Sequence, residues 1–304
     1  MKNAPHLIEH IYNRPWALMP EKLAVVAQVM DRWLREGKVS DADMERFRAA
    51  TSPTVRKSHG VVVLPVYGMI SHRANMLSEF SGGTSTQKLI GNFRDAMNDP
   101  NVGTVVFDVD SPGGTIDGVP ELAAELFAAR GKKKTIAVAN TLSASAAYWL
   151  SAMADEIVVS PSAMVGSIGV YTMHEDISSL NEKMGVKSTV ISAGKYKAET
   201  HPYAPLSAEA HEYLQDQVDA AYSMFVSDVA KARGTTKKEV TDGYGQGRVV
   251  SAQQAVKAGL ADRVATLDQV LSTLGVSNSR KPINAAIEKR RLALYNVPPM
   301  EEVV

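Results

Sequence analysis

Between residues 20 and 35 the apolar side chains Leu23, Val26, Met30 and Leu34 recur at intervals of three and four with charges between them. That is the stripe of an amphipathic helix. Residues 41–50 predict a second, shorter helix, so the chain opens with a helical arm over residues 1–59, the last nine of them a linker. At residue 60 the period changes. GVVVLPVYGMI is a β-branched run without a helical stripe, as expected of a buried strand, and it marks the start of a domain extending to residue 275.

Downstream, apolar strand-like runs at 104–109, 135–139, 156–159 and 187–192 alternate with helical patterns at about 119–130 and after Ser145. A longer helix is predicted over 207–232, opened by Ser207 and Glu209 and carrying Leu214, Val218, Tyr222 and Phe225. RVVSAQQAVKAGLADRV (248–264) reads as strand, short helix begun at Ser251, glycine stop at Gly259, and strand. Such alternation points to an α/β fold with βαβ units around a mostly parallel sheet. Residues 276–304, with clustered charge and prolines, read as a flexible C-terminal tail with room for one helix. There is no internal repeat.

Composition narrows the chemistry. With 304 residues and 45% hydrophobic side chains the chain can bury a sizeable core. Lys plus Arg and Asp plus Glu both total 33, so no net charge favours nucleic acid or an acidic membrane surface. No cysteine is present, which excludes disulfides, a thiolate nucleophile and Cys-ligated zinc. The histidines show no metal-ligand spacing, and no cofactor is implied. The opening residues lack the pattern of a signal peptide, and no apolar run reaches the roughly 20 residues of a membrane span, so a soluble protein is expected.

Three motifs could carry chemistry. DVDSPGGTIDG (108–118) follows a strand and precedes a helix, and paired glycines there let backbone N–H groups face outward, as an oxyanion hole or a phosphate cradle requires. Neither the Walker nor the dinucleotide-binding spacing is present; a plain tight turn is the structural alternative. In ANTLSASAAYWLSAM (139–153) a strand ends and a helix begins among small residues at Ser145. A nucleophile there gains from the helix dipole and from an exposed turn, although a Ser/Ala run also describes a tightly packed helix, and Ser143 and Ser151 compete for the role. VGSIGV (165–170) is followed by SAGKYKAETHPYAP (192–205), which offers Lys195 and Lys197. A lysine base has to be desolvated so that its pKa falls from about 10.4 towards neutrality. His174, beside Glu175 and Asp176, is a weaker rival, because neighbours in sequence rarely point at one another.

Together, SPGG at 111–114, the serine in SASAAYW and GSIGV followed by S-x-G-x-x-K resemble the signal peptide peptidase A family of serine-lysine proteases, over residues 60–267. PWALMPEKL (15–23) is similar to the N-terminal arm of that family's bacteriophage branch, the head maturation or capsid assembly proteases. The resemblance implies a crotonase-like or Clp-protease-like ββα spiral with Ser145 as nucleophile, Lys197 as base and Ser167 orienting the lysine. It implies an oxyanion hole from Gly113 or Gly114 together with the N–H of Ser145 or of its neighbour Ala146. It further implies peptide substrates, a homo-oligomeric ring, and action in the host cytoplasm or procapsid interior on scaffold, portal and capsid proteins and on the chain itself. Around the nucleophile, Ala146-Ala147 stand where cellular members commonly have Gly-Gly. Three other readings remain open at this stage: a cellular signal-peptide or membrane-protein-fragment peptidase, a crotonase-like acyl-CoA enzyme, and a noncatalytic capsid assembly protein.

Overall fold

The computed structural model describes residues 15–20, 55–73 and 83–276. The expected helices over 20–35 and 41–50 and the expected tail after 276 lie outside those residues.

The described chain is built on a ten-stranded sheet whose main path runs β10-β7-β6-β5-β3-β2. The strands are β1 (Trp16–Leu18), β2 (Arg56–Ser58), β3 (Val61–Ser71), β4 (Thr84–Ser85), β5 (Thr104–Thr115), β6 (Lys134–Ala144), β7 (Glu156–Val159), β8 (Met164–Gly166), β9 (Val249–Ser251) and β10 (Arg263–Val264). β3, β5, β6, β7 and β10 pair in parallel. β2, which falls within the expected linker, joins antiparallel to β3 through a tight turn at His59 and Gly60, both at positive φ.

Both faces of this sheet are covered, which explains why its strands read as unbroken apolar runs. Val62, Leu64, Val66, Val105, Phe107, Ala137 and Ala139 enter one core with the helices, and the alternate residues Val61, Val63, Val106, Ile136 and Val138 enter a second. The first core is closed by α1 (Thr86–Asn98), α2 (Val119–Ala128), α3 (Ala146–Ala152) and α5 (Ala208–Arg233). α4 (Ser178–Lys183) has no buried residue. α6 (Lys237–Gly243) and α7 (Ala252–Ala258) follow α5, and α8 (Leu267–Thr273) seals the second core with Leu267, Val270 and Leu271. α5 starts where predicted: the Ser207 hydroxyl accepts from the Ala210 N–H, and Gly234 at φ 63° ends the helix.

Two irregularities position the site. β5 and β6 shift register between Val109 and Asp110, so the second half of β6 pairs Leu142, Ser143 and Ala144 with β8 instead of β7. β5 continues through the glycines, placing SPGG inside the strand rather than in a tight turn after it. Two further corrections concern elements. No strand forms at 187–192, where Ile191 is 93% exposed, because among the described residues no neighbouring strand supplies its hydrogen bonds. α1, capped by Ser85 and burying Leu89, Phe93 and Ala96, is an element that the sequence patterns above do not predict.

Candidate active site

Ser145 stands between the end of β6 and the start of α3 with φ 56° and ψ −123°, a conformation that a residue bearing a Cβ adopts only under constraint. Three contacts impose it. Its N–H donates to the Gly166 carbonyl at 2.8 Å, its carbonyl accepts from the Trp149 N–H at 2.9 Å, and its hydroxyl reaches the Gly169 carbonyl at 3.5 Å. The strand-to-helix turn thus presents one hydroxyl at the seam between β5, β6 and the GSIGV segment, the geometry of a nucleophile elbow.

Gly113 forms the facing wall. At φ 98°, a Cβ on it would meet the Ala17 carbonyl oxygen at 2.2 Å and the Ser145 Cβ at 2.9 Å, so glycine is required by both space and backbone. Gly114 is pressed against Ile70, whose carbonyl oxygen would lie 1.8 Å from an added Cβ. The N–H groups here are not equivalent: Gly113 donates to the buried Ser111 hydroxyl at 3.2 Å, and Ser145 is committed to Gly166. Ala146 lies in the first turn of α3, where N–H groups have no acceptor within the helix.

The neighbouring serines are sequestered. Ser143 and Ser151 hydrogen-bond to each other through their hydroxyls at 2.9 Å in a fully buried position. Behind the nucleophile, α3 is fixed on several sides. Trp149 stacks on Phe225 with centroids 4.5 Å apart and donates to Asp228 at 2.9 Å, while the Tyr148 hydroxyl donates to the Leu260 carbonyl at 2.9 Å. The Arg130 guanidinium donates to the carbonyls of Ala152, Met153 and Ala154 and to that of Ala232, tying the end of α3 to the end of α5. Sequence reasoning missed Arg130, Gly166 and Gly169; the glycines stood in the GSIGV motif, but a carbonyl's direction has no signature in a sequence.

Ser167 lies beside the serine turn, at φ 52° and largely buried, with its N–H on the Arg248 carbonyl at 2.9 Å. Lys197 is on the surface loop after Gly194, its N–H on the Gly194 carbonyl at 3.2 Å and its side chain exposed, whereas Ser145 is 1% exposed. Its ammonium makes no hydrogen bond or ion pair among the described residues. Lys195 instead pairs with Glu209 at 3.0 Å and donates to the Tyr196 hydroxyl, contacts that hold its pKa above the ordinary lysine value. The buried carboxylate of Asp108, raised by desolvation despite its hydrogen bonds with Tyr67 and Asn140 and its pairing with Arg56, sits six residues before the end of the SPGG motif and crosslinks β3, β5 and β6. Among the described residues no cluster of His, Cys, Asp or Glu could hold a metal ion, and no helix is long and apolar enough to cross a membrane.

The segment expected at the head of a helical arm is at the site itself. β1 runs antiparallel to the end of β5, with Trp16 opposite Thr115, Ala17 opposite Gly114 and Leu18 opposite Gly113.

A strained serine on a strand-to-helix turn, faced by a glycine wall in a parallel sheet, defines the class: the chain belongs to peptidase family S49, a serine-type protease family, whose model matches residues 128–279. The matched span includes Ser145, Ser167 and Lys197 and begins after the paired glycines, and the mixed α/β fold with its parallel-dominated sheet is the Clp-protease-like, crotonase-like fold expected. The chain is 30% identical over 293 residues to capsid assembly protease C of Escherichia phage lambda, covering 90% of this chain and 66% of that one. It is 28% identical over 292 residues to the head-tail preconnector protein GP5 of Enterobacteria phage P21, covering 91% and 58%. A putative signal peptide peptidase SppA of Enterococcus faecium is 32% identical over 220 residues, covering 70% and 62%. The chain therefore spans about three fifths to two thirds of the length of these relatives.

Proposed function

We propose that the chain is a serine endopeptidase in which Ser145 attacks the peptide carbonyl, Lys197 takes the hydroxyl proton, and Ser167 orients the lysine. The observation that carries this reading is the backbone of Ser145: φ 56° at a turn faced so closely by Gly113 that an added Cβ would come within 2.9 Å of the Ser145 Cβ. Gly114 and Ala146 supply the N–H groups for the oxyanion, since those of Gly113 and Ser145 already have acceptors. The protonated lysine then gives its proton to the leaving amine, and water repeats the cycle on the acyl-enzyme.

In the single chain Lys197 is exposed and Ser145 buried. Bringing them together requires the loop carrying Lys197 to close or a neighbouring subunit to pack over it. Exposed Val186, Val190 and Ile191 on the adjoining stretch favour assembly into a homo-oligomeric ring. Similarity to the two phage proteins supports a capsid assembly role, with scaffold and portal proteins as substrates inside the procapsid.

A fluorophosphonate probe followed by peptide mapping tests the nucleophile. Labelling confined to the peptide bearing Ser145, and absent in Ser145→Ala, is the expected result; labelling that survives in Ser145→Ala removes the assignment.

A further inference from the structure

The strand β1 is held as an extended peptide in a protease cleft is held. Its three residues bond on both edges: Trp16 exchanges two hydrogen bonds with Tyr171, at 2.7 and 3.1 Å, while Ala17 and Leu18 lie against β5 and the Met19 N–H donates to the Pro112 carbonyl at 3.1 Å. Recognition of this kind, main-chain bonds to an added strand with pockets for alternate side chains, is a standard mode of peptide binding. Pro15 and Pro20 flank the strand and, having no N–H, limit the ladder to the residues over the site. Trp16, Ala17 and Leu18 are 1%, 0% and 2% exposed, and the strand covers a serine that is itself 1% exposed.

Register and direction single out one bond. Since both main-chain groups of Trp16 face Tyr171, those of Ala17 face the opposite way, towards Gly114, the residue opposite it in register. The Ala17 carbonyl oxygen and the Ser145 Cβ both approach the same point at Gly113, 2.2 and 2.9 Å from where a Cβ on that glycine would sit. Ala17, the smallest side chain of the strand, is fully buried in the main core.

We infer that residues 16–19 occupy the enzyme's own substrate cleft and that the Ala17–Leu18 peptide bond is its first substrate, blocking other substrates until it is cut. The inference rests on Ser145 being the nucleophile. In the reaction the Ser145 oxygen bonds to the Ala17 carbonyl carbon, the Ala17–Leu18 C–N bond breaks, and the Leu18 nitrogen leaves as an amine carrying the proton returned by the base. Water then hydrolyses the ester, giving a fragment that ends in the Ala17 carboxylate and an enzyme that begins at Leu18. The preferred substrate class follows: extended segments with a small residue before the cut and large apolar residues on both sides of it.

The test follows the purified full chain over time by intact mass and N-terminal sequencing, alongside casein hydrolysis. A new N-terminus at Leu18, absent in Ser145→Ala, and a lag in casein hydrolysis that ends as this species accumulates are expected. Ala17→Trp should abolish that cut, and a synthetic peptide spanning residues 13–22 should be cleaved by the processed enzyme between its Ala and Leu, at least tenfold faster than its Ala→Trp counterpart. Ser145-dependent casein hydrolysis without a lag, with the N-terminus intact and the peptide uncut, overturns the inference and leaves the protease reading standing. Absence of any Ser145-dependent cleavage, casein included, overturns both.

Discussion

At the residue scale, the site turns on two positions whose backbones are unusual for opposite reasons. Ser145 holds a positive φ although it carries a Cβ, and Gly113 holds one because it carries none. Gly113→Ala should therefore cost on the order of 1–3 kcal/mol in backbone strain and, by driving a methyl against Ser145, lower peptidase activity at least a hundredfold. Urea denaturation beside a casein assay checks both halves; a fully active Gly113→Ala would mean that the glycine wall does not face the reacting group. The hydroxyl pair makes a contrasting case. Ser143→Ala leaves the Ser151 hydroxyl buried without its partner, which should destabilise the fold by about 1–3 kcal/mol while activity at 25 °C stays within twofold of the parent. The place of Ser145 at a strand-to-helix turn was legible in the sequence because a strand, a serine and a small-residue helix follow in order. That Ser143 and Ser151 satisfy each other was not, since it depends on a helical turn folding back over the strand.

At the element scale, α3 is short and owes its placement to its surroundings. Arg130 bonds four carbonyls at the ends of two helices, and burial holds its pKa below the ordinary guanidinium value. Arg130→Met keeps the stem and removes the donors, so it should lower stability by roughly 2–4 kcal/mol, measured by urea denaturation, with activity falling as α3 loosens. A change under 0.5 kcal/mol would show that the helix end is held by packing alone. Element order was readable wherever period and punctuation agreed. β7 was predicted at 156–159, α5 within one residue at each end, and the strand-helix-strand of 249–264 with its glycine stop. Reading failed where partners decide. Residues 187–192 have the composition of a strand, yet among the described residues no strand pairs with them, and WAL, too short to show a period, became a strand because β5 and the Tyr171 backbone were there to receive it.

At the scale of the whole molecule, distant elements are joined by charge as well as by core. Asp262, between α7 and β10, accepts from the Ile157 N–H at 2.7 Å and from Arg233 of α5 at 2.7 and 3.2 Å. Burial raises its pKa, but Arg233 and the Ile157 N–H outweigh burial and hold it below the ordinary aspartate value. The stabilisation is therefore present above the unfolded-state pKa near 3.9 and is lost as pH falls through the lower folded value. Asp262→Asn should flatten the acid limb of the stability curve below about pH 4, seen as a smaller drop in Tm between pH 5 and pH 3; an unchanged acid limb would place the linkage elsewhere. Because Lys197 is exposed and Ser145 buried in the single chain, the proposed mechanism expects activity only in a closed or assembled molecule.

We propose that Ser145 and Lys197 act together to cut peptide bonds. The most direct measurement is casein hydrolysis and self-cleavage by the purified protein beside folded Ser145→Ala and Lys197→Ala, followed from pH 6 to pH 10. Both variants are expected to lose activity, and the parent to gain it as pH rises through a single basic transition. A Ser145→Ala protein that cuts at the parent's rate would contradict it.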